Sequence, residues 1–274
     1  MSETDRLGRV LIVAGSDSGG GAGIQADIKT VTALGGYAAT AITALTAQNT
    51  RGVFGVVGIE PAFIRQQMRV VLDDIGADAV KTGMLHSRAV IEAVRAELDT
   101  LDPAVPVVVD PVMVAQSGDT LLEADAIESV AELMLPRATV VTPNAPEAER
   151  LSGLTIRAPD DMMAAAEALR RRGARAVLLK GGHLTGDTVV DLLASEAGTE
   201  RFESPRIETR HTHGTGCTLA SAIAAGLAQG LDLRAAVVRA RAYLQEALRQ
   251  APGLGGGAGP VGHGHTVRPF SGDG

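Results

Sequence analysis

Short apolar runs alternate along this chain with longer amphipathic stretches. Residues 9–14 (RVLIVA) show no polar alternation beyond the leading arginine, which predicts a strand buried on both faces. A glycine-rich loop, residues 15–23, follows and opens a helix that runs to about Leu34, where Gly35-Gly36 closes it. Residues 37–47, β-branched and alanine-rich, form a second strand that ends at Gln48, Asn49 and Thr50. Arg51-Gly52 turns into a short strand over 53–59. The rhythm then becomes regular. Residues 61–73 form an amphipathic helix with proline at its first position. A strand at 79–84, a helix at 87–98 and a strand without polar alternation at 106–110 follow. Next come a helix at 121–134, a strand at 139–142, and helices at 144–151 and 160–172. Strands at 176–180 and 188–193 precede a hairpin-like extension around 201–202. An alanine-rich helix then starts beside Cys217, and 233–250 forms another.

Strands that alternate with helices argue a mainly parallel, doubly wound α/β sheet with helices on both faces. No linker divides the chain, so 1–274 is expected to be one domain. Residues 1–8 and about 253–274 are expected to be flexible, the latter because they are rich in glycine and lack periodicity.

Composition narrows the function. Aromatics are 2% and Trp is absent, while Gly reaches 33, so Ala, Val, Leu and Ile must build a core of closely approaching elements. The net charge of −7 argues against a nucleic-acid partner. No apolar run reaches the roughly 18 residues of a membrane span, and no N-terminal signal pattern occurs. One cysteine excludes an internal disulfide and fits a reducing compartment, so a soluble cytoplasmic protein is expected.

Gly21-Ala-Gly23-Ile-Gln-Ala26 matches the dinucleotide fingerprint, but that motif needs an acid about 20 residues on, at the end of the second strand. Gln48-Asn49-Thr50 stands there instead, which disfavours a nicotinamide oxidoreductase. In open parallel sheets, ligands bind beyond the carboxyl ends of strands. Those ends carry Gly15, Ser16 and Asp17, then Gln48, then Lys81 to Met84, then Asp110 and Val112, then Asn144 and Glu147, then Lys180. Gly214, Thr215 and Gly216 lead into the last-named helix start, where free N–H groups attract anions. The same field lowers a thiol pKa, so Cys217 is either an activated thiolate or an inert buried cysteine. Asn144 and Glu147, three apart at a helix start, either form a capping box or serve Mg²⁺. Lys180 beside Gly181-Gly182 suits phosphate contact. His211 and His213 lack the partners of a zinc set. A cradle, a lysine, a magnesium candidate and a base candidate together suit phosphoryl transfer.

Seven segments carry a resemblance: residues 14–27, 43–50, 81–85, 108–113, 142–148, 179–183 and 213–222. Their order and wording resemble the ribokinase-like kinases, and within them the hydroxymethylpyrimidine/phosphomethylpyrimidine kinases of thiamine biosynthesis. The resemblance implies a ribokinase-like α/β fold with ATP and Mg²⁺ as cofactors. It implies phosphorylation of 4-amino-5-hydroxymethyl-2-methylpyrimidine and then of its monophosphate. By resemblance Gly214, Thr215 and Gly216 form the anion hole, and Cys217 stands where related enzymes carry an aspartate base. Asn144 and Glu147 organise Mg²⁺ through water, and Lys180, with Asn144, meets nucleotide phosphate. Gly15, Asp27, Gln48, Met84 and Val112 line the pyrimidine pocket. A homo-oligomer, with a dimer favoured, is implied. Pyridoxal kinases of the same subfamily also carry Gly-Thr-Gly-Cys, which makes pyridoxal the alternative substrate.

Overall fold

A computed structural model describes residues 7–114 and 126–267. Its strands are β1 (Arg9–Asp17), β2 (Tyr37–Asn49), β3 (Gly52–Gly58), β4 (Ala79–Thr82), β5 (Val107–Val109), β6 (Val140–Val141), β7 (Val177–Leu179), β8 (Thr188–Ser195) and β9 (Gly198–Pro205). They form one sheet in the order β3-β2-β1-β4-β5-β6-β7-β8-β9. The pairings from β2 through β7 are parallel, whereas β3, β8 and β9 join antiparallel at the two edges.

Successive side chains of a strand point to opposite faces, so the parallel centre needs cover on both sides. In β1, Leu11 and Val13 enter one core, while Val10, Ile12 and Ala14 enter the other. The first core is closed by α2 (Pro61–Asp74), α3 (Arg88–Leu98), α5 (Ala145–Ser152) and α6 (Asp161–Arg171), with the short α4 (Ala126–Ser129). The second is closed by α1 (Gly23–Ala33), α7 (Thr215–Ala228) and α8 (Leu233–Arg249). Nearly all of α7 from Thr218 to Ala228 is buried, which explains its apolar sequence on every side.

Several boundaries move. β1 runs three residues past the predicted end, because Ser16 and Asp17 pair with Leu45 and Thr46 after a register shift. The predicted extension near 201–202 is the full strand β9, paired along its length with β8. Of the predicted helix at 121–134, residues 121–125 lie outside the described residues. The remainder begins as α4, widens over Val130–Met134 and tightens at Leu135–Arg137, where Pro136 cannot continue the ladder.

The tail departs from its expectation as far as Val267. Gly262 N–H donates to the Ala247 carbonyl at 2.8 Å, and His213 N–H donates to the Gly259 carbonyl at 3.1 Å. His263 is buried beside Thr218, with Nε2 and Oγ1 3.0 Å apart, and Thr266 Oγ1 donates to the Ala33 carbonyl. Backbone bonds and one buried imidazole hold this stretch. Hydrophobic periodicity registers neither. Residues 1–6 and 268–274 lie outside the described residues.

Candidate active site

The carboxyl ends of β1, β2, β4, β5 and β7 and the N-termini of α5 and α7 open on one cavity of about 780 Å³. Gly15, Gln48, Met84, Val112, Asn144, Glu147, Lys180, Gly214, Thr215, Gly216 and Cys217 all line it. Asp27, predicted beside them, does not. It is fully buried beneath the cavity floor, where Lys81 Nζ lies 2.9 Å from both carboxylate oxygens and Ser221 Oγ donates at 2.7 Å. Helix α1 aims this residue at β4 rather than at the pocket, a distinction that position in a motif does not carry.

Gly214 sets the entry to α7. Its φ of 82° is left-handed, and a Cβ there would stand 1.9 Å from the Gly21 carbonyl oxygen. The loop before α1 therefore lies against the cradle. Asp17 organises that loop by accepting from Gly19 N–H at 2.8 Å, Gly21 N–H at 3.0 Å and Ala22 N–H at 2.8 Å. It also meets His213 Nε2 at 2.8 Å. Burial alone would raise the Asp17 carboxyl, but His213 and the backbone donors outweigh it and hold the group below its ordinary value.

A carboxylate only accepts, so His213 Nε2 must carry the proton it shares with Asp17. Gln48 Nε2 rests 3.4 Å from that nitrogen with no acceptor there, and Gln48 Oε1 lies 3.2 Å from Thr46 Oγ1, whose one proton has a nearer acceptor in the Ser16 carbonyl at 2.8 Å. Both ends of the Gln48 amide thus stay available at the cavity wall. The sequence singled out neither Asp17 nor His213 as a functional pair. Only the Gly-rich spacing after β1 hinted at a loop folded around a carboxylate.

On the opposite wall, a parallel bridge sets Asn144 beside Lys180. Lys180 Nζ lies 3.1 Å from Asp110 Oδ1, which also accepts from Thr142 Oγ1. A Cβ on Gly216 would stand 3.3 Å from Lys180 Nζ and 3.6 Å from Asp110 Oδ2, so the lysine reaches the start of α7. Burial would lower the Lys180 ammonium, but Asp110 and Glu147 raise it above its ordinary value.

Asn144 and Glu147 do form a capping box. Asn144 Oδ1 accepts from Glu147 N–H at 2.9 Å, and Glu147 Oε2 accepts from Asn144 N–H at 2.8 Å. This commits the Asn144 oxygen, and the Met113 backbone N–H is a second donor to the Glu147 carboxylate. Burial pushes the Glu147 carboxyl up to about 7, against the pull of Lys180 and with the push of Asp110. Among the described residues, no three His, Cys, Asp or Glu side chains make a preformed metal cage. Mg²⁺ needs none, since it keeps waters and takes phosphate oxygens with one or two carboxylates. Asp110 and Glu147, facing the same cavity, fit that donor set.

Cys217 is the third residue of α7, half-buried in the cavity wall, with Gly23 N–H as a backbone donor. Of the two readings the sequence left open, the surroundings of the free site favour the protonated thiol. Burial pushes the thiol up to about 12, with Asp27 and Asp110 adding to the rise and Lys81 opposing it. Loss of solvent and two nearby carboxylates favour the neutral thiol.

The family model for phosphomethylpyrimidine kinase matches residues 17–262. The thiamine biosynthesis bifunctional protein ThiED of Geobacter sulfurreducens is 56% identical over 256 residues, which is 93% of this chain. The chain spans about half of that relative, 52% of its length. The hydroxymethylpyrimidine/phosphomethylpyrimidine kinase of Streptomyces coelicolor is 51% identical over 258 residues, 94% of this chain and 95% of that one. The solved structure of Staphylococcus aureus pyridoxal kinase in complex with AMP-PCP and pyridoxal matches at a TM-score of 0.87 and 34% identity, covering 96% of both chains. The fold is therefore the ribokinase-like α/β fold, and the chain belongs to the phosphomethylpyrimidine kinase family.

Proposed function

We propose that this chain is an ATP-dependent kinase for 4-amino-5-hydroxymethyl-2-methylpyrimidine and its monophosphate, forming the pyrophosphate. One observation carries the reading. A single cavity holds the Gln48 amide on one wall, Lys180 and Glu147 on the other, and the Gly214, Thr215, Gly216 and Cys217 turn between them. The names of the relatives support the substrate. The aminopyrimidine edge both donates and accepts, as a side-chain amide does. Gly15, Met84 and Val112 supply the apolar and backbone surface around the ring.

In this mechanism the substrate hydroxyl oxygen attacks the γ-phosphorus, the bond to the β-phosphate oxygen breaks, and ADP leaves. Backbone N–H groups at the start of α7 and the Lys180 ammonium take up charge on the transferring phosphoryl group. Asp110 and Glu147 would hold Mg²⁺, which supplies further charge neutralisation on the phosphates when bound. Cys217 Sγ, as thiolate, accepts the hydroxyl proton. The exposed apolar edge around Phe54 and Val57 of β3 supports a homo-oligomer, a dimer by preference, which light scattering at micromolar concentration tests. Among the described residues no helix is long and apolar enough to cross a membrane, which accords with a cytoplasmic enzyme.

Kinetics with the pyrimidine alcohol and pyridoxal side by side test the substrate. A higher kcat/KM for pyridoxal would overturn the assignment and leave a vitamin kinase of the neighbouring subfamily. Gln48→Leu leaves the polar edge of the pyrimidine unpaired, at about 1–3 kcal/mol. The pyrimidine KM should rise about tenfold or more while the KM for ATP holds. Equal movement of both would assign Gln48 to structure alone.

Glu147→Gln keeps an oxygen for the capping box but removes charge from the proposed magnesium position. The Mg²⁺ concentration for half-maximal rate should rise about tenfold. A superimposable Mg²⁺ titration would remove Glu147 from that role.

A thiol at about 12 is deprotonated in greater fraction as pH rises, so a thiolate base makes kcat climb with pH. No plateau is expected between about pH 7 and 9. Cys217→Ser should lose that slope and drop kcat about 10²–10⁴-fold, with ATP affinity little changed. Cys217→Asp should recover part of the rate, limited by Asp27 and Asp110 nearby. Near wild-type kcat in the serine variant would make Cys217 a packing residue.

A further inference from the structure

Lys81, the penultimate residue of β4, lies beneath the cavity and is fully buried, yet it borders the same space as Cys217. Its ammonium lies 2.9 Å from both oxygens of Asp27, which is also fully buried. Ser221 Oγ completes the arrangement by donating to Asp27 Oδ1 at 2.7 Å. The spacing is regular. Gly23 and Asp27 are four apart in α1, and Cys217 and Ser221 are four apart in α7, so each pair shares a helix face. Gly23 N–H meets the Cys217 sulfur at the top, and Asp27 meets Ser221 one turn below. Lys81 enters from the sheet, and its Nζ would stand 3.0 Å from a Cβ on Gly83, also in the cavity wall.

We infer that Lys81, anchored by Asp27 and Ser221, is a positioning residue whose ammonium holds negative charge on the Cys217 sulfur. The groups that face the sulfur are Lys81 from β4, Asp27 and the Gly23 N–H from α1, Asp110 after β5 and Lys180 after β7. The two carboxylates and burial favour the protonated thiol, and Lys81 is the cation that opposes them most. Burial would deprotonate a lone lysine, but Asp27 keeps this one charged, with its pKa above the ordinary value. Asp27 therefore serves the thiol by keeping its cation charged, and Ser221 fixes Asp27 with a bond from the same helix as the cysteine.

The inference builds on Cys217 as proton acceptor, but alkylation of the thiol reads it without turnover. Cys217 is the chain's only cysteine, so iodoacetamide labelling followed by intact mass reports this sulfur alone. The variants are Lys81→Met and the double variant Lys81→Met/Asp27→Asn. The double variant removes both charges and leaves no orphaned carboxylate, so it is the one expected to regain the melting temperature lost by the single change. Labelling between about pH 7 and 9.5 should slow about tenfold in Lys81→Met and stay at least about threefold slower in the folded double variant. A folded double variant that labels at the wild-type rate across that range would overturn the inference, since the pair would then matter only to folding. If labelling slows as expected while Cys217→Ser keeps its kcat, Lys81 retains its hold on the sulfur and the proton-acceptor reading fails instead.

Discussion

Everything at the site depends on how closely two backbone turns approach. Gly214 has room for no Cβ because the Gly21 carbonyl occupies that space. Gly21 in turn would place a Cβ 2.4 Å from the His213 ring. Both contacts exist because Asp17 gathers the intervening N–H groups onto one carboxylate. The result sets the N-terminus of α1 beside that of α7, with the sheet ends below. A side chain at either glycine would push the loop away, separate Gly23 from Cys217 and open the cavity floor.

That packing puts many charges where water is scarce, and their fates diverge for reasons that can be counted in partners. Asp17 has three backbone N–H donors and an imidazole, and it stays below its ordinary value. Glu147 has two backbone donors, from Asn144 and Met113, and the field of Lys180, but Asp110 repels it and burial prevails, up to about 7. Cys217 has one backbone donor and one strongly opposing cation against two carboxylates, and it rises furthest of the three, to about 12. Helix position alone does not set an ionisation. The supply of donors and the loss of water do.

The parallel sheet was legible because its strands are uninterrupted apolar runs and its helices carry a clear period. The ends that line the cavity were legible because Gly15, Gln48, Lys180 and the Gly214 turn all follow strands or precede helices. Long-range geometry was not. Nothing local to Asp27 tells whether its carboxylate faces a pocket or a lysine fifty-four residues on. The Asp17–His213 pair joins residues 196 apart, and the tail is held by backbone bonds that no residue pattern announces. The choice between thiolate and thiol at Cys217 stayed open in the sequence for a related reason. The helix field is visible in a sequence, whereas burial and the carboxylates of α1 and β5 are not.

A thiol held near 12 bears on why a buried lysine belongs beneath it. Each unit of pKa above ambient pH removes a factor of about ten from the thiolate population. The scarcer thiolate is a stronger base, but reactivity follows basicity with a slope below one, about 0.4–0.5 for thiolates as nucleophiles. Scarcity therefore outweighs strength, and a nearby cation raises the overall rate even as it weakens each thiolate. The cation must not crowd the proposed phosphate path, where Lys180 is already paired with Asp110. It must also stay charged without solvent. Lys81 meets both conditions by entering from below on β4 and keeping Asp27 as its counter-ion. The buried pair is costly to desolvate and is poor evidence of stability alone. Its placement under the one cysteine gives that cost a chemical reason.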